Sequence, residues 1–189
     1  MHNNIFDLSE LPKNNIFRDV YRETDTSLSR LDKMNSLINT TSLELVLCSI
    51  QANLDLLRVK AKNYHWNVSG SGFQGVHEMF DDLASYATSS EDRVAERMRY
   101  HCIKVDATVS NYLSHAWFSE GNADLDMDGM LSDMCMSLIC TIEKMDEFSC
   151  SLEEYPVDQN MIQEISENLG KFCYFVKSNM SHTSGDVSY

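Results

Sequence analysis

Apolar residues in this chain recur three and four positions apart over long stretches, the pattern of helices that each bury one face. From about Thr40 to Tyr64 that spacing is kept by Leu43, Val46, Leu47, Ile50, Leu54, Leu57 and Ala61. Asn67-Val68-Ser69-Gly70-Ser71-Gly72 is dense in turn formers and predicts a break. A second helix is predicted from Phe73 to about Tyr100, with Val76, Phe80, Leu83, Ala87, Val94 and Met98 facing inward. The stretch from Val105 to about Asp128 is less regular; it suits a short helix around Thr108–Trp117 and then a loop rich in Gly, Asn and Asp. Leu131, Met134, Leu138, Ile142 and Met145 predict a third long helix over about Met130–Ser151. Pro156 interrupts it, and a fourth runs from about Gln159 to Lys177. Residues 1–30 are polar, hold Pro12 and keep no helical period, so they read as an extension; residues 178–189 read as a frayed tail. The predicted fold class is all-α: a four-helix bundle over residues 31–177, with a short extra helix between the second and third long ones.

Composition narrows this further. A chain of 189 residues is one domain with some length to spare, and 7 Gly, 2 Pro and 11 Met favour long helices over a loop-rich β fold. The formal charge of -14 is uneven: residues 119–167 hold 13 acidic side chains and one Lys, which leaves about -2 for the rest. Such a block is either a solvated face or a surface that concentrates cations. The six cysteines, at 48, 102, 135, 140, 150 and 173, form no C-x-x-C. Met1-His2-Asn3-Asn4-Ile5-Phe6-Asp7 lacks the basic and apolar regions of a secretory signal, and there is no apolar run of 18 residues to span a membrane. The expectation is a cytoplasmic protein with reduced thiols.

The chemistry concentrates in four residues. His65 and His77 are followed by Asp92 and Glu96, at gaps of 12, 15 and 4 positions. Imidazole with carboxylate suits iron, manganese or zinc, and the ligand types alone do not choose among them. Asp92 and Glu96 are i and i+4, so they stack on one helix face. His65 stands just before the predicted turn and His77 just after it, which puts both imidazoles at one end of an antiparallel helix pair. From His77 to Asp92 the same helix rises about 22 Å, far beyond ligand reach. Either the four are unrelated, or the histidines of one subunit meet the carboxylates of another. Asp81, one turn after His77, reads as an auxiliary ligand, a partner to the ligands, or a plain surface carboxylate. Trp66 reads as an interface aromatic or a radical sink, and His101 and His115 as ordinary surface or core histidines.

At these residues the chain resembles a known family. Lys60-Ala61-Lys62-Asn63-Tyr64-His65-Trp66-Asn67-Val68-Ser69-Gly70, then Phe73 and His77-Glu78, then Asp92-Arg93-Val94-Ala95-Glu96-Arg97 are similar to the Dps proteins. These are ferritin-like proteins whose pattern is roughly H-W-N-x-x-G-x-x-F-x-x-x-H followed by D-x-x-A-E-R. The likeness extends more weakly over residues 33–177. The resemblance implies a ferritin-like four-helix subunit, a hollow homo-dodecamer, and a ferroxidase centre at the two-fold interface. His65 and His77 would come from one subunit, with Asp92 and Glu96 from its partner. It implies oxidation of Fe(II), preferably by hydrogen peroxide, storage of ferric mineral, and protection from oxidative stress. It also implies that the junction into the last helix, with Glu153, Glu154, Asp158 and Glu164, lines a three-fold channel for iron. Two alternatives stay open: a DNA-compacting or host-interaction shell in which iron turnover is secondary, and a zinc- or manganese-binding member.

Tyr174 stands where family members commonly carry Trp. The chain also lacks the basic tail with which such proteins often bind DNA: residues 1–30 carry four basic and five acidic side chains, and residues 170–189 two Lys and one Asp. Counterion release from Lys and Arg contacts is the main source of non-specific DNA affinity. Supercoiled DNA at neutral pH and moderate salt is therefore expected to migrate unchanged in a gel with micromolar protein; retardation would contradict this.

Overall fold

In the computed structural model, which describes the backbone of residues 30–180 and the side chains of residues 43–180, five helices and no strand are found among the described residues. They are α1 (Arg30–Asn67), α2 (Phe73–Tyr100), α3 (Val109–Ser114), α4 (Met127–Cys150) and α5 (Pro156–Asn179). By packing, the chain separates into residues 1–39 and 40–189, and the bundle is the second unit. Most of the expected extension and tail lies outside the described residues. No helix is long and apolar enough to cross a membrane among the described residues.

Helix α1 begins at Arg30, well before the predicted start near Thr40. The clear apolar spacing begins only at Leu43, yet residues 30–42 hold no Gly or Pro to end a helix, and propagation adds one hydrogen bond per residue fixed. The other end is where turn chemistry places it. Gly70 and Gly72 have φ of 111° and 78°, the left-handed region that only glycine enters without strain, and Gly72 is the residue preceding α2. Helix α2 closes in a Schellman arrangement, with Ile103 N–H on Met98 O at 2.9 Å and Cys102 in the αL position at φ 61°. Asp126 caps α4, accepting from Gly129 N–H at 2.8 Å. Pro156 starts the last helix rather than preceding it, since proline at the first turn gives up no hydrogen bond.

The side-chain pairings set the directions. Tyr64 meets Phe80 while Gln51 meets Glu91, so α1 and α2 run antiparallel. Cys135 lies by Cys173 and Ser149 by Gln159, so α4 and α5 do too. Arg97 meets Asp158 and Tyr86 meets Phe172, so α2 and α5 are also antiparallel. The core takes in the inward positions predicted above except Ile142, which is half-buried, with Leu47, Ile50, Leu54, Phe80, Leu131, Met134, Leu138 and Met145 all shut from water; Tyr64, Met79, Ile162 and Leu169 join it. Each such side chain contributes about 1.5–3 kcal/mol by burial. All six cysteines are free thiols.

Among the described residues, every buried side-chain polar atom of the bundle except Ser149 Oγ is matched. Asn53 holds the segment after α3: it donates to His115 O at 2.8 Å and accepts from Trp117 N–H at 2.8 Å. Gln51 donates to Tyr112 Oη at 2.7 Å and to Glu91 at 2.8 Å, tying α3 to α1 and α2. Asp158, only 1% exposed, accepts from Arg97 Nε at 2.8 Å and pairs with His101 Nε2 at 2.9 Å. Burial pushes its carboxyl up, but the hydrogen bonds from Arg97 and His101 outweigh this and hold it below the usual carboxylate range. A depressed folded-state pKa contributes stability above the unfolded value of about 3.9, lost as pH falls through the folded value. Asp158→Asn is therefore expected to lower unfolding stability at pH 7 by about 2–3 kcal/mol. In urea titrations the gap to the unmodified chain should narrow below about pH 4; a gap constant with pH would contradict the assignment.

Candidate metal centre

Both histidines stand at the α1–α2 turn. His65 is in the last turn of α1 and His77 in the second turn of α2, and their rings stack with centroids 3.7 Å apart and planes 22° from parallel. The contact is reciprocal. His65 Nδ1 lies 2.8 Å from His77 O, and His77 Nδ1 lies 2.7 Å from His65 O. A carbonyl oxygen only accepts, so each Nδ1 carries the proton and donates it. With Nδ1 so engaged, Nε2 is the nitrogen of each ring left to hold a cation. The carbonyl of His65 is among the last four of α1, which have no partner within the helix, so the pairing also completes that helix end.

Asp81 is one turn beyond His77 and is held by an ion pair with Lys62. The hydrogen bond from Lys62 is the main cause of its lowered pKa, with smaller contributions from His65 and His77. Asp81 is thus an ionised carboxylate near both imidazoles. Lys62 was not singled out in the sequence, although it lies three residues before His65 and hence on the same side of α1. Phe73 flanks the pair, its ring 6.0 Å from that of His77, and Trp66 is 72% exposed.

Asp92 and Glu96 lie on α2, both exposed and without a hydrogen-bond or ion-pair partner among the described residues. The neighbouring arginines are engaged elsewhere, Arg93 with Glu164 at 2.8 Å and Arg97 with Asp158. No group of three or more His, Cys, Asp or Glu placed to hold a metal is found among the described residues of the single chain. The structure brings His65, His77 and Asp81 into one neighbourhood and leaves Asp92 and Glu96 apart on the same helix. Asp158, expected at an acidic channel, is instead buried and matched by Arg97 and His101, so it offers no charge to a passing cation. Glu153 and Glu164 are exposed, Glu164 in its pair with Arg93.

A second set of buried polar groups adjoins the histidines. Tyr64, immediately before His65, donates its phenol to Asp133 Oδ2, and the same oxygen accepts from Lys60 Nζ at 2.7 Å. Lys60 also reaches Ser137 Oγ at 2.8 Å. No spacing in the sequence points to this set, because Asp133 is 69 residues from Tyr64.

The comparisons with known proteins bear on the family and the fold. A family signature described as a ferritin-like domain matches residues 49–101, the stretch with both histidines and both carboxylates. A DNA protection during starvation protein of Listeria innocua is 30% identical over 119 residues, 61% of this chain and 74% of its own length. Antigen TpF1 of Treponema pallidum is 32% identical over 69 residues, which is 36% of this chain and only 39% of the antigen. The solved structure of Dps from Mycobacterium smegmatis superposes with a TM-score of 0.74, covering 80% of this chain and 94% of that one, at 22% identity; that likeness is one of fold. With the bundle, the motif spacing and the relatives in agreement, the chain belongs to the Dps family of ferritin-like proteins.

Proposed function

We propose that this protein is an iron-storage and protection protein that oxidises Fe(II) with hydrogen peroxide at a centre shared by two subunits. His65 and His77 of one subunit hold ferrous iron through Nε2. Asp92 and Glu96 of the neighbour supply the carboxylates that stabilise the harder ferric product. Asp81 stands by as an auxiliary ligand, kept ionised by Lys62. The reading includes a closed homo-oligomeric shell, a dodecamer, in which ferric mineral accumulates.

The observation that carries the reading is the reciprocal histidine pairing, which orients two ring nitrogens at one spot. Two exposed carboxylates one helical turn apart are the complementary half. The rise from His77 to Asp92 forbids closing the site within a chain, and a two-fold axis that brings one half onto the other does so twice. Exposed Trp66 and Phe73 beside the histidines suit a face that a second subunit covers.

The chemistry balances. Two ferrous ions give up one electron each to one peroxide, which takes two protons and leaves as two waters, so no hydroxyl radical is released. The few protein ligands leave open coordination positions for the oxidant. The outer carbonyls orient the imidazoles, an arrangement typically worth 10–100-fold in metal affinity or activity.

Ferrous iron added anaerobically to the full chain, followed by peroxide, is expected to give ferric absorbance that travels with protein on a sizing column. The His65→Ala/His77→Ala double variant should assemble normally and oxidise iron about tenfold more slowly or worse. Oxidation at the unmodified rate would contradict the site.

A further inference from the structure

Cys135 and Cys173 are buried nucleophilic groups for which the ferroxidase reading has no use. Cys135 stands in the third turn of α4 and Cys173 six residues before the end of α5, each 6% exposed. Their sulfurs face each other across the two helices at 4.0 Å. Among the described residues no other two cysteine sulfurs touch: Cys140 is turned to Trp117 O at 3.4 Å, and Cys102 and Cys150 are exposed. Burial, and then Cys173 beside it, push the Cys135 thiol up, while Lys177 pulls it back. Lys177 is one turn beyond Cys173 on α5, so an ammonium stands near the pair to favour a thiolate.

The pair suits a cross-link. A disulfide holds its sulfurs about 2.05 Å apart, so each has about 1 Å to travel, within reach of rotation about the Cα–Cβ bonds. The two residues are 38 positions apart in sequence, so the bond closes a long loop, and the constraint on the unfolded chain grows with loop length. Its place in the fold matters. Helix α4 starts beside the glycine turn, where a Cβ added to Gly70 would lie 3.9 Å from Met127 Cε. Helix α5 ends beside Met79, whose sulfur accepts from Asn179 Nδ2 at 3.9 Å. The cross-link therefore pins both helices toward the end of the bundle that carries His65 and His77.

We propose that Cys135 and Cys173 are a modification site, which hydrogen peroxide joins in a disulfide that ties α4 to α5. One thiolate attacks a peroxide oxygen and the O–O bond breaks, giving a sulfenic acid and hydroxide, which takes up the proton the thiol gave. The second sulfur then attacks the first and expels its hydroxyl as water. Two thiols and one peroxide give one disulfide and two waters, and two electrons pass from sulfur to oxygen. No iron takes part, so the site still consumes peroxide when ferrous iron is spent, and the same oxidant tightens the bundle.

The test uses the full chain in its native assembly, reduced, freed of iron by a chelator and then exposed to excess hydrogen peroxide. Samples are unfolded in an alkylating agent and digested without reductant. The peptides holding Cys135 and Cys173 are expected as one linked species, released by dithiothreitol. In a Cys102→Ser/Cys150→Ser background the linked chain should run as a monomer on a non-reducing gel. The melting temperature should rise by about 5–15 °C on oxidation and fall back on reduction. In Cys135→Ala and in Cys173→Ala neither change should appear. In His65→Ala/His77→Ala both should, because the site needs no iron. Recovery of the two cysteines unlinked, linkage to other cysteines, or a link that leaves melting unchanged overturns the proposal and leaves the ferroxidase reading standing.

Discussion

The reciprocal bond between each imidazole and the other histidine's carbonyl is the constraint on which the rest of this site depends. It closes the end of α1, sets the height at which α2 starts back along it, and fixes the orientation of both rings. A single tight turn does three jobs because Gly70 and Gly72 take backbone angles that side-chain-bearing residues resist. Widening that turn would separate the rings and free both Nδ1 atoms, leaving the metal-facing nitrogens undefined.

Around this clasp the bundle arranges charge in two different ways. Inside, each charged group is answered: Lys60 by Asp133, and Asp158 by Arg97 and His101. Leaving either charge without its partner would cost several kcal/mol, more than any one core methyl group contributes. On the outside, Asp92 and Glu96 have no partner among the described residues, although arginines stand next to both in sequence. Those arginines are turned onto α5 instead. Diverting Arg93 and Arg97 leaves a bare carboxylate pair, the kind of surface a cation or a histidine-bound cation can use.

Much of this was legible in the sequence, for identifiable reasons. Helix α2 falls at Phe73–Tyr100 as predicted because its apolar period is unbroken and glycines precede it. The meeting of His65 and His77 follows from a turn too short for anything but an antiparallel pair. The start of α1 at Arg30 was not legible, since the clear apolar spacing begins only at Leu43 while the helix already runs through the polar residues before it. The burial of Asp158 was hidden as well: an acidic residue in an acidic stretch reads as solvated, and its partner Arg97 is 61 residues away. Tyr64 and Lys60 escaped notice for the same reason, as their significance lies in Asp133 on a distant helix. Local period and turn chemistry can be read along a chain, whereas polar matching across helices depends on the packing itself.

The central claim is that one working centre needs two subunits, and mixing tests it most directly. One chain carries His65→Ala and His77→Ala; the other carries Asp92→Asn and Glu96→Gln. Each alone should oxidise iron about tenfold more slowly than the unmodified chain or worse. Co-assembled at equal amounts, they form mixed pairs in which one of the two centres is complete, so iron oxidation should return to about one quarter of the unmodified rate. Mixed shells as slow as either parent would contradict a shared centre.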